Sequence, residues 1–148
     1  MPLTLATLSG VSRYFKTMVD AYRQAANQAG HDPANLPIAT TTILYVAENS
    51  QDAQNEFYPH MNHVYRTMRG MNFPKHQFLQ STNIEDALMV GSPQLVIEKI
   101  LRQHELFGHQ RVLLEMDLGG VPYDKLERNI ELVATHIAPA IRKYTGKA

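Results

Sequence analysis

Two acidic side chains stand at the end of an apolar segment in the last third of this sequence. Glu115 and Asp117 alternate with apolar residues over 111–117, so in a strand they point to the same side as Leu113. In a closed barrel of parallel strands, that side faces inward and reaches the site at the strand's carboxyl end. The alternative is a solvated rim. We take Asp117 as the candidate site residue of the pair.

Two glycine-containing segments could also approach a ligand. Gly119 and Gly120 follow the acidic strand, without the spacing of a GxGxxG fingerprint. Gly91 and Ser92 precede Pro93 at a predicted helix start, where free backbone N–H groups can bind an anion. Serine followed by proline is a common helix cap, so an ordinary capped helix is the preferred interpretation and an anion site the alternative.

The histidines support no catalytic assignment. His60 and His63 are three residues apart and could share a ligand on one helix face, with Glu56 as a third group at best. A solvated helix face is the preferred interpretation, and we expect no metal. The other histidines fit helix ends, helix surfaces or loops.

Three segments have the composition of strands. They are 3–8, which Ser9 and Gly10 end, 38–47, which is rich in β-branched residues, and 111–117. The segment 84–90 could be a short strand or a helical turn. These segments alternate with helical patterns, which predicts βαβ units and a mainly parallel sheet.

Four helices are predicted between and after the strands. Apolar spacing and end signals place them at 11–29, from Asn49 or Ser50 to Met68, at 92–108 and at 123–144. Pro59 should kink or break the second helix, and Pro139 should interrupt the last one. The segment 70–83 lacks periodicity and is the longest predicted loop. No linker divides the chain, so residues 1–148 are predicted to form one domain.

Composition excludes several classes of protein. Lysine plus arginine and aspartate plus glutamate number 14 each, which argues against a nucleic-acid-binding protein. The absence of cysteine removes disulfides and thiolate chemistry. No segment has the apolar length of a membrane span or the pattern of a signal peptide, so we expect a cytoplasmic protein with no membrane partner.

Several segments together resemble luciferase-like, flavin-dependent monooxygenases. Residues 91–101 (GSPQLVIEKIL) are similar to a helix typical of that family, and the likeness continues in the order and spacing of later segments. Residues 2–10 (PLTLATLSG) resemble the family's sixth barrel strand and its small-residue exit, which adds Ser9 and Gly10 to the candidates. The other similar segments are 22–26, 29–33, 104–108 (HELFG), 111–114, 117–122 (DLGGVP), 130–132 and 137–142.

The resemblance implies a partial (β/α)8 barrel of the TIM type, holding counterparts of strands six, seven and eight. It implies FMN, or in some members a deazaflavin, as cofactor. The family's early strands, most of its flavin phosphate loop and its usual catalytic histidine have no counterpart here. The resemblance therefore predicts a monooxygenase fragment or subunit that is incomplete alone, with doubtful flavin binding and unknown catalytic residues.

Two alternatives accompany this prediction. The chain could be a non-enzymatic interaction or small-ligand-binding module that reuses the half-barrel. An open sheet exposes two edges and one face that a closed barrel would bury, so we expect a homodimer or a second polypeptide that supplies the missing strands. In the homodimer, Leu3, Leu5 and the barrel-facing residues of 38–46 should form the interface.

Overall fold

The computed structural model, which describes residues 1–146, contains one sheet of four parallel strands. The central strand pairs with two strands on one edge, since Thr7 N–H donates to Thr41 and Ala47 N–H donates to Gly91. It pairs with one strand on the other edge, where Gln110 N–H donates to Ile38. The strands are β1 (Leu3–Ala6), β2 (Ile38–Val46, central), β3 (Met89–Gly91) and β4 (Arg111–Glu115, on the second edge).

One face of this sheet, here called the outer face, carries the helices that follow β1, β3 and β4. Helix α1 (Ser12–Gln28) and helix α4 (Pro93–Phe107) pack against it. Leu5 and Ile38 form a buried cluster with Val19 of α1 and Phe107 of α4. Because this face is apolar and the strands are parallel, right-handed crossovers place the helices on it.

The opposite face, here called the inner face, is open along β1 and β4 and covered near the end of β2. It is formed by alternate residues of β1, β2 and β4, and the register sets Ala6, Thr41 and Leu113 side by side across the sheet. On β1 and β4 the inner-face side chains are exposed, with Leu113 at 45%, whereas Ile43 and Tyr45 of β2 are buried against Phe57 and Phe78 of later helices. In a closed barrel these positions fill the interior. Leu5 belongs to the outer face and is covered by its own chain, so its predicted place in a dimer interface is wrong.

Helix α2 (Ser50–Arg69) is continuous through Pro59, so the break that was one of the two predicted outcomes, a kink or a break, does not occur. The missing N–H of proline costs one backbone hydrogen bond. Capping at both ends of the helix and burial of one of its faces offset the lost hydrogen bond. The Asn49 side chain accepts from Asp52 N–H, Gly70 closes the helix in the left-handed conformation, and Ala53 and Phe57 are buried.

The segment 70–83 is not the predicted loop throughout, because it contains helix α3 (Lys75–Ser81). Phe78 is fully buried there against Phe57, Tyr58 and Phe73. One short turn with a single large apolar anchor shows no periodicity in the sequence, yet burial of one phenylalanine stabilises it by about 2 kcal/mol. The ambiguous segment 84–90 ends in the short strand β3.

The last helical pattern is interrupted as Pro139 predicts. Helix α5 (Tyr123–Leu132) passes into a π-helical segment (Val133–Ile137), and helix α6 (Ala138–Thr145) follows. Pro139 has no N–H for an α-helical bond to Thr135, which accounts for a local change of helical type. The side chain of Ile137 is buried on the outer face, where it packs with residues of β2 and α4.

Candidate functional site

A cleft of about 540 Å³ lies at the carboxyl ends of β1, β2 and β4. Leu8 follows β1, Ile43 lies three residues before the end of β2, and Glu115 ends β4, while residues of α2 and α3 line the other sides. This is the end of the sheet where parallel α/β proteins build their sites, because the loops that follow the strands converge there.

One wall of the cleft is apolar and aromatic. Met61, Tyr65 and Met68 follow one face of α2 at spacings of three and four, and they point toward the strand ends. The Tyr65 ring stacks on Phe73 with 4.9 Å between centroids, and the Arg69 guanidinium lies 5.4 Å from the same ring. This wall could contact a flat apolar ligand.

The other wall is polar. Asp86 and Glu115 are its carboxylates, and Gln77, Gln80 and Ser81 supply amide and hydroxyl groups. The loop after β1 is held beside Asp86, since Ala87 N–H donates to Gly10 and Ser12 N–H donates to Glu85, each at 2.8 Å. Backbone pairing, rather than side-chain contact, thus fixes the distance between the β1 exit and Asp86.

Lys99 of α4 anchors the loop that carries Asp86. Its ammonium group is buried and donates to the carbonyl oxygens of Thr82, Asn83 and Leu88 at 3.1, 2.8 and 2.6 Å. An ammonium group has three donors, and all three are used. Burial lowers the pKa of Lys99 to about 8, against the attraction of Asp86, which raises it.

A second polar cluster ties α5 to α2 and to the end of β2. Glu56 Oε2 accepts from Tyr45 Oη and from Arg128, each at 2.7 Å, and Lys125 Nζ lies 3.2 Å away. The hydrogen bond from Arg128 lowers the pKa of Glu56 to about 2, while desolvation opposes it. None of these residues lines the cleft. The cluster holds the helix of the apolar wall in place.

Ser9 and Gly10 are the sequence-predicted candidates that line the cleft. Gly91 and Ser92 lie at the end of β3 and the start of α4, away from the lining residues. Their groups are used locally, because Ser92 N–H donates to Ser50 Oγ at 3.0 Å and Ser92 Oγ accepts from Leu95 N–H at 3.3 Å. Ser92 therefore acts as a helix cap in this structure.

Asp117 is exposed and follows β4, so Glu115 rather than Asp117 reaches the cleft. Gly119 and Gly120 line a shallow depression beside the cleft, against α2. Gly119 approaches α2 closely: its carbonyl oxygen lies 3.1 Å from Nδ1 of His60. Within residues 1–146, no group of three metal-ligating side chains occurs, so His60 and His63 have no third ligand.

Sequence reasoning missed the helical wall and Asp86. Met61, Tyr65 and Met68 have the spacing of one helix face, but that spacing is also typical of core residues. Asp86 lies in a segment of ambiguous structure, where nothing local distinguishes it from a surface carboxylate.

Parallel strands alternating with helices, with a cleft at their carboxyl ends, define this protein as part of a TIM-barrel-like α/β fold. The sequence profile of the luciferase-like monooxygenases matches residues 4–110, more than half of the chain. The chain belongs to the luciferase-like monooxygenase family.

Solved structures support the same fold. The monooxygenase RslO1 from Streptomyces bottropensis superposes with a TM-score of 0.77 at 23% identity, over 93% of this chain and 41% of that one. The oxygenating component of the 3,6-diketocamphane monooxygenase from Pseudomonas putida, in complex with FMN, gives 0.64 at 20% identity, over 95% and 42%.

A coenzyme F420-dependent tetrahydromethanopterin reductase from Methanopyrus kandleri gives a TM-score of 0.61 at 16% identity, over 93% of this chain and 45% of that one. The chain thus spans less than half the length of each of these structures. No curated protein matches the sequence. No helix within residues 1–146 is long and apolar enough to cross a membrane.

Proposed function

We propose that this chain forms one wall of the cofactor and substrate cleft of a flavin- or deazaflavin-dependent oxidoreductase, and that other strands must complete the barrel. The observation that carries the proposal is the position of the cleft. It lies toward the carboxyl ends of three parallel strands, and the inner face of two of them, β1 and β4, is exposed. The solved relatives named above extend well beyond the part that this chain matches.

The described residues fit the ring system of such a cofactor. A flavin supplies redox chemistry when it is bound, through a flat tricyclic ring with polar edges. Tyr65, Met61 and Met68 offer a flat apolar surface, and Gln77 and Gln80 offer amide groups to polar edges. The chain's own residues would bind and orient the ring and keep water from one of its faces.

The same residues fit a phosphate group poorly. Asp86 and Glu115 repel an anion, and Arg69 is the one cation among the lining residues of 1–146. Strands beyond those described here would therefore supply the phosphate contacts. This chain would then contact the cofactor ring or the substrate, and the other strands would contact the phosphate.

The runner-up is a non-enzymatic small-ligand or interaction module. It is favoured by one observation: within residues 1–146, no histidine lines the cleft. Asp86 and Glu115 are then the acid–base groups that the described wall could offer. No histidine or lysine within residues 1–146 lines the cleft beside them.

Titration of the purified chain with FMN and with coenzyme F420 tests the cofactor proposal. We expect weak binding of either cofactor, because one wall of the cleft buries one face of the ring and leaves the phosphate without partners. Quenching of flavin fluorescence measures the affinity. Submicromolar affinity of the isolated chain would contradict the idea that other strands are needed. No binding, even in the presence of a polypeptide that supplies the early strands, would favour the runner-up.

Light scattering tests how the inner face is covered. We propose that this face is buried by another polypeptide, either a second copy of this chain or one that carries the missing strands. Exposed Leu8 and Leu113 on a sheet with two free edges make association favourable, so the purified chain is expected to run as a dimer. A stable monomer at micromolar concentration would exclude the homodimer. Leu113→Ser should shift the equilibrium toward monomer, and Tyr14→Ser on exposed α1 should not.

A further inference from the structure

The carboxylate of Asp86 belongs to the cleft wall and has no hydrogen-bond partner. The residue is 9% exposed, and it lines the cleft. Within residues 1–146, no N–H or O–H group donates to its side-chain oxygens, and no cationic group lies within ion-pair distance of them. Removing a carboxylate from water is costly unless it is paired or hydrogen-bonded, so such a group in a folded protein requires an explanation.

Lys99 compensates for the charge of Asp86 but not for its missing hydrogen bonds. The two side chains attract each other electrostatically. The three N–H donors of Lys99, however, are bonded to the carbonyl oxygens of the loop, as described above. An ionised carboxylate accepts hydrogen bonds and donates none. The Asp86 oxygens are therefore available to a donor that enters the cleft.

Backbone contacts hold Asp86 in place on both sides. Asp86 N–H donates to the carbonyl of Asn83 at 3.1 Å, and Ala87 N–H donates to that of Gly10 at 2.8 Å. Asp86 also pairs with Val11 in an isolated antiparallel bridge. An acceptor that is fixed in this way loses little conformational freedom when a ligand binds.

A second unpaired carboxylate, that of Glu115, lines the same cleft from the end of β4. It forms no ion pair with any of residues 1–146. Arg69, the cation among the lining residues, is exposed, lies over the Tyr65 ring and pairs with neither carboxylate. The strand side of the cleft is thus negative, and the apolar residues Leu8 and Ile43 also line it.

We propose that this cleft selects a small primary amine as substrate, an apolar group that bears one ammonium. The ammonium would donate hydrogen bonds to Asp86 and Glu115, and the apolar group would lie on Leu8 and Ile43. Hydrogen bonds between an ammonium and a carboxylate are about twice as strong as those between neutral groups. The inference rests on the proposed function, because it takes the cleft as the substrate side of that enzyme's site and leaves the aromatic wall of α2 to the cofactor ring.

Methyl-labelled NMR of the full chain, titrated with benzylamine, tests the proposal. We expect saturable shifts at Leu8 and Ile43, with little change at Val19 and Val112 of the outer face. Benzyl alcohol keeps the ring without the charge, and benzoate reverses the charge. Both are expected to bind at least about tenfold more weakly, because neither forms a hydrogen bond between charged groups with Asp86. Calcium ions alone are expected to cause no saturable shift, since no group of three ligating side chains occurs within residues 1–146.

Two substitutions locate the charge contribution. Asp86→Asn should weaken binding of benzylamine by about tenfold, and Glu115→Gln, at an exposed position, by about threefold. Both variants should bind benzyl alcohol as the parent does. Glu85→Gln is the matched control, because it removes the same charge one residue away, where the carboxylate is exposed and paired with Arg102. It should leave the affinity for benzylamine unchanged.

Several results would overturn the inference. They are the absence of saturable shifts at Leu8 and Ile43, equal affinities for benzylamine and benzyl alcohol, unchanged affinity in both cleft variants, and saturable binding of calcium at the same residues. The FMN titration described above separates this inference from the proposed function. Binding of FMN without binding of benzylamine would overturn the amine site alone. Binding of benzylamine, with no binding of FMN even when the early strands are supplied, would support the amine site and refute the cofactor proposal.

Discussion

Gly119→Ala is expected to lower the free energy of unfolding by about 3 kcal/mol. Gly119 has φ +73°, where an added Cβ costs about 1–2 kcal/mol. That Cβ would also lie 2.4 Å from the carbonyl oxygen of His60, inside any permitted contact, and a forced shift in a packed region costs about 1–3 kcal/mol more. Since His60 belongs to α2, the displacement should reach the apolar wall of the cleft.

Gly120→Ala separates the two costs. Gly120 has the same φ of +73°, but nothing lies within 4 Å of its added Cβ. Chemical denaturation of both variants is the measurement. We expect Gly120→Ala to lose about 1–2 kcal/mol, the backbone contribution alone. Equal losses in the two variants would show that the β4 exit and α2 do not pack as closely as the structure has them.

Lys99→Met is expected to destabilise the protein by about 3 kcal/mol at neutral pH. The methionine fills a similar volume but leaves the carbonyl oxygens of Thr82, Asn83 and Leu88 without their donor. Each buried acceptor that loses its partner costs about 1–3 kcal/mol, and relief of the buried charge offsets part of the sum. Lys16→Met is the control: its ion pair with Asp20 is exposed, and its loss should cost less than about 1 kcal/mol.

The dependence on pH distinguishes the charge of Lys99 from its packing. Its pKa is about 8 in the folded protein and 10.5 for an ordinary lysine, so between these values the unfolded chain binds more protons than the folded one. The free energy of unfolding of the parent therefore gains a contribution that rises with pH over that window. The gap between parent and Lys99→Met should widen from pH 8 to pH 10.5. A constant gap would mean that the ammonium group is not desolvated.

Most elements could be predicted from local pattern, because caps and periodicity are local properties. Ser92 caps α4, Asn49 caps α2, and Pro139 in the first turn of α6 interrupts the last helical pattern, each where the sequence predicts it. The predictions that were wrong depend on distant contacts. Phe78 holds α3 only because α2 and the loop at Phe73 surround it, and α2 passes through Pro59 because its caps and buried face outweigh one lost bond.

The candidate site was predicted only where it coincides with strand ends. Ser9 and Gly10 follow β1 and line the cleft, and the face assigned to Glu115 is the inner face. Asp117, the predicted candidate of the pair, lies two residues beyond the end of β4 and does not line the cleft. Asp86 lies far along the chain from β1 and reaches it through the backbone bond from Ala87 to Gly10. A pairing between segments so far apart in the chain produces no local sequence pattern from which it could be predicted.

At the end of β2, the backbone groups on one edge are hydrogen-bonded by side chains rather than by a neighbouring strand. Val46 N–H donates to the side-chain oxygen of Asn129, and the Val46 carbonyl accepts from Arg128, on the edge where β4 has already ended. A side-chain amide and a guanidinium group thus stand where a further strand would pair, so this stretch cannot template aggregation. Within residues 1–146, no side chain forms such a hydrogen bond along the outer edges of β1 and β4. If further strands complete the barrel, as proposed above, we expect them to pair with those two edges rather than with the end of β2.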